Sequence, residues 1–326
     1  MAGRRGTNGR ASRDEWQGVA GQREVDGAAL ASRLRADKAA NRGRAERAEQ
    51  ERDDLRAQCG DGTVKFYLGT HHPHWLGNAR FVDVPLFVSH RQLGRYKTLP
   101  RAVGSWALDS GGFTELSMHG RWTLSPAEYA RAVLRYRDEV GGLAWASPQD
   151  WMCEPVMLAK TGLAVEEHQR RTIASVIELR ELGAPVIPVL QGWSQGQYLD
   201  HVEAYERAGL DLRAEPVVGL GSVCRRQNSM SAAVLVNSLA HEGLRLHGFG
   251  FKATGLRFCG ASLASADSLA WSYHARRERP RPECVGRHIN CANCPAFALE
   301  WRAEMLERLD RYTVDSAAQR TLTGVA

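Results

Sequence analysis

The stretch WALDSGGFTEL, residues 106–116, decides which fold and which chemistry the rest of the chain supports. Its apolar beginning is typical of a short buried strand, which brings Asp109 to the strand's carboxyl end. Gly111 and Gly112 permit a sharp turn and a close approach of a ligand to the backbone, and Phe113 adds a flat apolar surface. The stretch therefore predicts either a pocket for a planar polar ring beside a carboxylate, or a turn in which Asp109 caps a helix.

Similar apolar runs recur along the chain and are separated mostly by helical patterns. Strands are predicted at 64–70, 84–89, 106–110, 142–150, 185–192, 216–222, 244–250 and 263–271, and helices at 125–140, 165–182, 196–208 and 230–241. Continuous apolar runs indicate a parallel sheet that is covered on its outside. Eight such units predict a (β/α)8 TIM barrel within a domain of residues 63–326. An open doubly wound sheet is the alternative, although no GxGxxG turn follows the first strand.

Residues 1–62 differ from the rest in composition, because Arg, Ala, Glu, Asp and Gly dominate and apolar residues are sparse. We expect a polar, partly helical extension. The alternative is an arm that contacts phosphates through Arg4, Arg5, Arg10 and Arg13.

Composition narrows the class of protein. A hydrophobic fraction of 43% and nine tryptophans allow a large core. No apolar run approaches the ~20 residues of a membrane span, and the polar beginning lacks the apolar region of a secretory signal. Seven cysteines, three of them clustered, favour a reducing compartment and a metal site over a disulfide framework. We therefore expect a cytoplasmic protein, whose net charge of +6 is compatible with a nucleic-acid partner.

Polar groups follow or interrupt successive predicted strands, where the catalytic groups of a barrel enzyme are expected. They are Asp109 at the end of the third predicted strand, Asp150 at the end of the fourth, Gln191 at the end of the fifth, Gly221 and Ser222 at the end of the sixth, and Asp267 in the eighth. Carboxylates, an amide and an open glycine backbone at one edge predict a functional site.

These segments resemble the signatures of the tRNA-guanine transglycosylases across residues 100–295. The similar segments are LDSGGF (108–113), QDWMCEP (149–155), QG (191–192), GLGS (219–222) and HGFG (247–250). FYLGTHHPHWL (66–76), WASPQDW (145–151) and the compact length look more like one branch, the phage and bacterial transglycosylases that place 7-deazaguanines in DNA.

The resemblance implies a role for each matching residue. Asp109 matches the carboxylate that contacts the base and handles protons, and Asp150 matches the one that reads a guanine-like edge. Gln191 and the backbone of Gly221 match further base contacts, and Asp267 is the candidate nucleophile. The other candidate substrate-binding residues are Ser110, Gly111, Phe113, Gly192 and Ser222, with Trp151 as an alternative to Phe113 for stacking on the base.

The chain departs from the tRNA enzymes in one segment. They carry Asp-x-x-Asp before an arginine-rich loop, whereas LASADSLAW (263–271) holds Asp267 alone, with Ala264 or Ala270 where a partner would stand.

The function that the resemblance implies is the exchange of guanine in DNA for a 7-deazaguanine, such as 7-cyano-7-deazaguanine, through a covalent aspartyl-glycosyl intermediate. The alternatives are the same exchange on tRNA, a non-catalytic base-binding subunit, and an unrelated metal-dependent hydrolase that uses His71, His72 and His74. A homodimer or accessory modification proteins are possible partners.

A cysteine-rich segment, ECVGRHINCANCP (283–295), predicts a metal site. Cys284, His288, Cys291 and Cys294 provide the ligand number of a closed structural zinc site, and the alternative is a redox Cys-x-x-Cys. The resemblance also implies structural zinc. A helix is predicted to begin at Pro295 and to end near residue 309.

Arginines in the predicted strand-end loops could line a path for phosphates or could simply be solvated. They are Arg225, Arg226, Arg276, Arg277, Arg279 and Arg281.

Overall fold

A computed structural model describes residues 64–223, 230–251 and 253–323. The predicted extension of residues 1–62 with its four arginines, and the loop residues Arg225 and Arg226, lie outside these ranges.

All eight predicted strands are confirmed in the described residues. They are β1 (Lys65–Thr70), β2 (Leu86–Ser89), β3 (Trp106–Asp109), β4 (Leu143–Ala146), β5 (Val189–Leu190), β6 (Val218–Leu220), β7 (Leu246–Gly248) and β8 (Ser265–Ser268). Most are shorter than predicted. Only two residues of the run 185–192 form β5, because Pro185 and Pro188 have no backbone N–H to donate to a ladder.

The strands form one curled parallel sheet in the order β4-β3-β2-β1-β8-β7-β6-β5. The first strand pairs with the last, and every ladder is parallel. The order never reverses, unlike that of a doubly wound sheet. At the two ends of the order, Ala146 forms a parallel bridge with Val186, and its amide donates to the Pro185 carbonyl over 2.9 Å.

Ten helices accompany the strands in the described part of the chain. They are α1 (His90–Leu93), α2 (Gly112–His119), α3 (Pro126–Val140), α4 (Pro155–Thr161), α5 (Val165–Glu181), α6 (Gln195–Arg207), α7 (Met230–His241), α8 (Ala253–Cys259), α9 (Ala270–Ala275) and α10 (Pro295–Thr323). The four helices predicted between strands are confirmed as α3, α5, α6 and α7. Capping boxes begin α3 and α6, where Ser125 pairs with Glu128 and Ser194 with Gln197.

Two sequence-based boundaries were wrong. The run 263–271 is not one strand, since β8 ends at Ser268 and Ala270 already begins α9. The last helix does not end near residue 309 but continues to Thr323, because no glycine or proline interrupts the chain between Pro295 and that residue.

Alternation along the strands divides the core into two layers. Side chains on the concave face of the sheet form an aromatic cluster that includes Tyr67, Phe87 and Trp145. Their neighbours in sequence, such as Leu68 and Val88, point the other way and pack with the helices. Among the described residues, no helix is both long and apolar enough to cross a bilayer.

Candidate active site

A pocket opens at the carboxyl ends of the strands and encloses about 750 Å³, part of it continuous with solvent. The lining residues are Phe87, Asp109, Gly112, Phe113, Ser147, Asp150, Met152, Glu154, Gln191, Gly221, Ser222, Phe249, Gly250 and Asp267.

Seven predicted site residues lie together in this lining: Asp109, Phe113, Asp150, Gln191, Gly221, Ser222 and Asp267. Four others do not line it. Ser110 is buried, Gly111 forms the N-cap of α2, and Gly192 packs closely against Tyr198 of α6. Trp151 is buried between His168 and Arg171, whose guanidinium lies 4.5 Å from the ring centroid. Phe113, which is 44% exposed, can therefore stack on a ligand, whereas Trp151 cannot.

Asp109 is held at the end of β3 by the turn that follows it. The Gly111 amide donates to Asp109 Oδ1 over 3.0 Å, and Gly111 has a φ of +84°, which favours glycine. Parallel pairing sets Ser89 of β2 opposite Asp109. Asp109 thus accepts a bond within the turn, while Gly111, and not Asp109, is the N-cap.

Asp267 is held from β7 and from the loop after it. The Gly250 amide donates to Asp267 Oδ1 over 2.9 Å, and Nε2 of the fully buried His247 lies 3.3 Å from the same oxygen. His247 Nδ1 is 2.8 Å from the Ser265 hydroxyl. The His247 ring packs against Trp145 and Phe249, with centroids 4.7 and 4.8 Å away, so the orientation of the imidazole is fixed by its surroundings.

The surroundings of Asp109 change its pKa. Burial is the main cause that raises the pKa of Asp109, and the negative charge of Asp267 raises it further, against the lowering effect of the Gly111 hydrogen bond. Asp109 therefore retains its proton at a higher pH than an ordinary aspartate.

Asp150 and Gln191 form a buried polar pair on the other side of the lining. Gln191 Nε2 donates to Asp150 Oδ2 over 2.5 Å. Burial raises the pKa of Asp150 to about 7, the Gln191 bond opposes this, and the charges of Asp109 and Glu154 add to it. The backbone of Gln191 is also fixed, since its carbonyl accepts from Gln169 Nε2 over 2.8 Å.

Several lining residues were not predicted as site residues: Phe87, Ser147, Met152, Glu154, Phe249 and Gly250. Gly112, which the sequence predicted only as a place where a ligand can approach the backbone, also lines the pocket. Gly112 keeps space open beside Asp150, because a Cβ there would lie 3.3 Å from Asp150 Oδ1. The Ser147 hydroxyl is buried without a hydrogen-bond partner among the described residues. Ser147 follows β4 directly, so its position at a strand end was the one signal that could have revealed it.

The predicted metal ligands converge in a separate cluster before α10. The ligand atoms of Cys284, His288, Cys291 and Cys294 all lie within 4.8 Å of one another. Cys284 Sγ and Cys294 Sγ are 3.9 Å apart, close to the roughly 3.8 Å that tetrahedral zinc requires at a Zn–S distance of about 2.3 Å. Three soft thiol groups and an imidazole fit a zinc-type ion in chemistry and in spacing.

The three histidines after β1 form no such group. In the described ranges, the Cys/His cluster is the one set of three or more potential ligands that converges. His72 instead contacts Asn293 of the metal segment, with 3.1 Å between Nε2 and Oδ1. Of the described candidate arginines, Arg276, Arg277 and Arg279 are exposed, whereas Arg281 forms ion pairs with Glu283 and Glu300.

These features define a class: an α/β protein of eight parallel strands with carboxylates, an amide and open glycine backbone around a pocket at the strand ends. A model of the DpdA family, deoxypurine in DNA protein A, matches residues 63–325. The chain belongs to this family of DNA deazapurine transglycosylases, which confirms the resemblance to the DNA-modifying branch.

Comparison with other proteins adds only weak similarities. Among curated protein sequences, none matches significantly. One similar solved structure is 2,3-dimethylmalate lyase of the PEP mutase/isocitrate lyase superfamily, with a TM-score of 0.42, 13% identity and coverage of 82% of this chain and 98% of that one. Another is described as a fructose-1,6-biphosphate aldolase from Coccidioides immitis, with a TM-score of 0.42, 12% identity and coverage of 81% and 96%.

Proposed function

We propose that this protein exchanges guanine in DNA for a 7-deazaguanine through a covalent aspartyl-glycosyl intermediate. The observation that carries the proposal is the presence of Asp109 and Asp267 in the lining of one pocket, combined with membership of the DpdA family. Glycosyl transfer with a covalent intermediate needs one carboxylate that attacks and a second group that moves protons.

In the first half of the reaction, Asp267 attacks the anomeric carbon of the target deoxynucleotide. The bond to guanine breaks, and its electron pair leaves with the base, which takes a proton from Asp109. The Gly250 amide and His247 hold one oxygen of Asp267, so the other can point at the sugar. The raised pKa of Asp109 lets it keep its proton to a higher pH than an ordinary aspartate, as a general acid requires.

In the second half, the incoming 7-deazaguanine gives a ring proton to Asp109, and its nitrogen displaces Asp267 from the sugar. The product is a new glycosidic bond, and both carboxyl groups return to their starting protonation states. The same pocket thus serves the leaving and the entering base.

Base recognition falls to Asp150, Gln191 and the backbone at Gly221. A carboxylate accepts from the N–H groups of a guanine-type edge, and an amide or a backbone N–H donates to its carbonyl. Phe113 offers its exposed ring for stacking. Since the base of a polymer must leave its stack to enter such a pocket, we propose that the target nucleotide is flipped out of the DNA.

The proposal includes closure of the sheet into a (β/α)8 barrel through the Ala146–Val186 bridge. A barrel explains why the strand ends meet around one pocket, since its catalytic groups lie at the carboxyl ends of the strands.

A base-exchange assay tests the function directly. The purified protein is incubated with labelled guanine or 7-cyano-7-deazaguanine and with duplex DNA, single-stranded DNA or bulk tRNA in parallel. We expect label in DNA. Label in tRNA alone would keep the mechanism and overturn the substrate, and no label in any polymer with folded protein would favour a non-catalytic base-binding subunit.

Replacing Gly221 by Ala should weaken the binding of free 7-cyano-7-deazaguanine about tenfold or more, because a Cβ there would overlap the Gln191 amide and displace a buried hydrogen bond. Calorimetric titration measures the loss. Gly196→Ala is the matched control, since its Cβ would meet its nearest neighbour, Ser194 Oγ, at 4.0 Å. If the Gly221 variant bound the base as tightly as the wild type, the Gln191 amide would have no role in base recognition.

We propose further that the Cys/His cluster holds a structural zinc ion. Cys284, His288, Cys291 and Cys294 would be its ligands, and a closed four-ligand site stabilises the surrounding fold without taking part in catalysis.

Replacing Cys291 by Ala should remove the metal and lower Tm, because a structural zinc ion contributes directly to folding. Cys259→Ala is the control: Cys259 is also buried but lies on α8 away from the cluster. Both variants lose a buried thiol, so metal analysis and thermal melting are read together. Normal metal content and Tm in the Cys291 variant would count against the zinc site.

A further inference from the structure

A buried chain of four polar side chains runs along the pocket wall. Gln191 Nε2 lies 2.5 Å from Asp150 Oδ2. The Ser222 hydroxyl lies 2.7 Å from Gln191 Oε1 and 2.9 Å from Glu154 Oε2. The Cys153 amide also donates to Ser222 Oγ over 2.9 Å. Each of the four side chains belongs to a buried residue, so these side chains depend mainly on one another for hydrogen bonds.

The contacts of Ser222 require one more proton than ionised carboxylates provide. A hydroxyl donates one hydrogen bond and accepts two. Ser222 already accepts from Cys153 and faces two oxygen acceptors with a single hydrogen. If Glu154 and Asp150 were both ionised, one of these contacts would lack a proton or the hydrogen would be divided between both.

One added proton satisfies the whole chain, in either of two arrangements. With the proton on Glu154, its carboxyl donates to Ser222, Ser222 donates to Gln191 Oε1, and Gln191 donates to an ionised Asp150. With the proton on Asp150, the Gln191 amide is turned by 180°, accepts from Asp150 and donates to Ser222, which donates to an ionised Glu154. Ser222 accepts twice and donates once in both.

The backbone holds Ser222 in the position that the chain needs. Its φ of 57° makes it the one non-glycine residue with a positive φ among the described residues. Residues other than glycine seldom adopt this backbone conformation. Gly221 leaves the room in which the Gln191 amide lies. Strained backbone of this kind is found preferentially at functional sites.

We propose that Asp150, Gln191, Ser222 and Glu154 share one proton, and that its position decides whether Asp150 can accept hydrogen bonds from a base in the pocket. This inference rests on the proposed function. A guanine-type edge presents N–H donors and therefore needs Asp150 ionised, with the proton on Glu154. Glu154 is then a positioning residue that acts on the base through Ser222 and Gln191.

The proton can move without net uptake. Asp150 and Glu154 both line the pocket, so solvent in the pocket can take the proton from one and return it to the other while the amide turns. The groups that act electrostatically on Asp150 or face the pair are Asp109, Cys153, Tyr129 and Tyr205. Burial raises the pKa of Cys153, Tyr129 and Tyr205, so these three groups stay uncharged. Asp109, whose pKa burial also raises, is the neighbouring carboxyl whose charge acts on Asp150.

The test is the pH dependence of binding of free 7-cyano-7-deazaguanine, measured by calorimetry from pH 5 to 8.5. Wild-type affinity should fall as the pH drops through the pKa of Asp150, about 7, because the four side chains then take up an additional proton and the protonated Asp150 carboxyl cannot accept from the base. In Glu154→Gln, the neutral amide donates to Ser222 at every pH, so the midpoint should fall by about one pH unit. Glu178→Gln, an exposed change on α5, should leave it in place.

The Ser222→Gly background distinguishes an effect transmitted through the hydrogen-bonded side chains from an effect of removing the charge of Glu154. Glycine tolerates the φ of this position and removes the hydroxyl, and Ser222→Ala repeats the test if the glycine variant melts early. If the chain transmits the effect, Glu154→Gln should shift the midpoint by less than half as much without the hydroxyl.

Two results would overturn the inference: equal shifts with and without Ser222, which would mean that Glu154 acts by charge alone, or no shift in Glu154→Gln. Failure of the wild type to bind the base at any pH would contradict the proposed function itself, and this inference with it.

Discussion

Replacing Asp267 by Asn should abolish base exchange in DNA while leaving the protein folded. The amide has nearly the same shape as the carboxylate, so the packing around β8 is preserved. It carries no negative charge and cannot attack the anomeric carbon. We expect the rate to fall by about a thousandfold or more, as is usual when a nucleophile is lost.

Two measurements check this expectation. Label incorporation gives the rate, and a denaturing gel after a single turnover reveals whether a covalent protein–DNA adduct forms. The adduct should be present with the wild type in the absence of an acceptor base and absent with Asp267→Asn. Asp138→Asn, an exposed change on α3 that breaks only an ion pair with Arg137, is the matched control. A fully active Asp267 variant would place the nucleophile elsewhere.

Replacing Asp109 by Asn should slow adduct formation by about 10²–10⁴-fold, the usual contribution of a positioned general acid. Without a proton donor, guanine must leave as an anion. Substrate affinity should change much less, since the substituted side chain still fills the same volume and its amide oxygen accepts from the Gly111 amide.

The pH dependence of adduct formation provides an independent test of Asp109 as the general acid. Because burial raises the pKa of Asp109, its acid form persists to a higher pH than in an ordinary aspartate. The wild-type rate of adduct formation should fall as the pH rises through that pKa, since the acid is then lost. Rapid-quench measurements across pH should find this falling limb in the wild type and not in Asp109→Asn. A falling limb that survives in the variant would assign the acid role to another group.

Regular patterns in the sequence were sufficient for the strands and for the location of the pocket. Apolar runs bounded by Gly, Pro or polar residues marked most of the strands, because a strand that is buried on both faces is largely apolar. The eighth strand, Ser265–Ser268, holds one apolar residue and was located by the apolar residues that flank it. The residues at the ends of those runs, Asp109, Asp150 and Gln191, line the pocket, since parallel strands bring their carboxyl ends to one edge. The candidate metal ligands were equally visible, because they lie within eleven residues of chain.

Element boundaries were less predictable, since they depend on tertiary contacts and on stop signals that the local pattern lacks. The run 263–271 continued apolar past Ser268, yet the chain turns there so that Trp271 can donate to the Gly69 carbonyl over 2.8 Å. Trp151 was an equally plausible stacking residue by sequence, and only its packing against His168 removed it from the pocket.

Sequence alone therefore determined the parallel α/β class, the strand-end carboxylates, the cysteine-rich metal segment and the family resemblance. Only the tertiary structure brought His247 to Asp267 and Glu154 to Ser222. The first pair depends on the register that sets His247 beside Ser265, and the second joins residues 68 positions apart in the chain. Neither leaves a local signal, because a buried hydrogen bond between distant residues is defined by how strands and loops pack and not by the spacing of residue types.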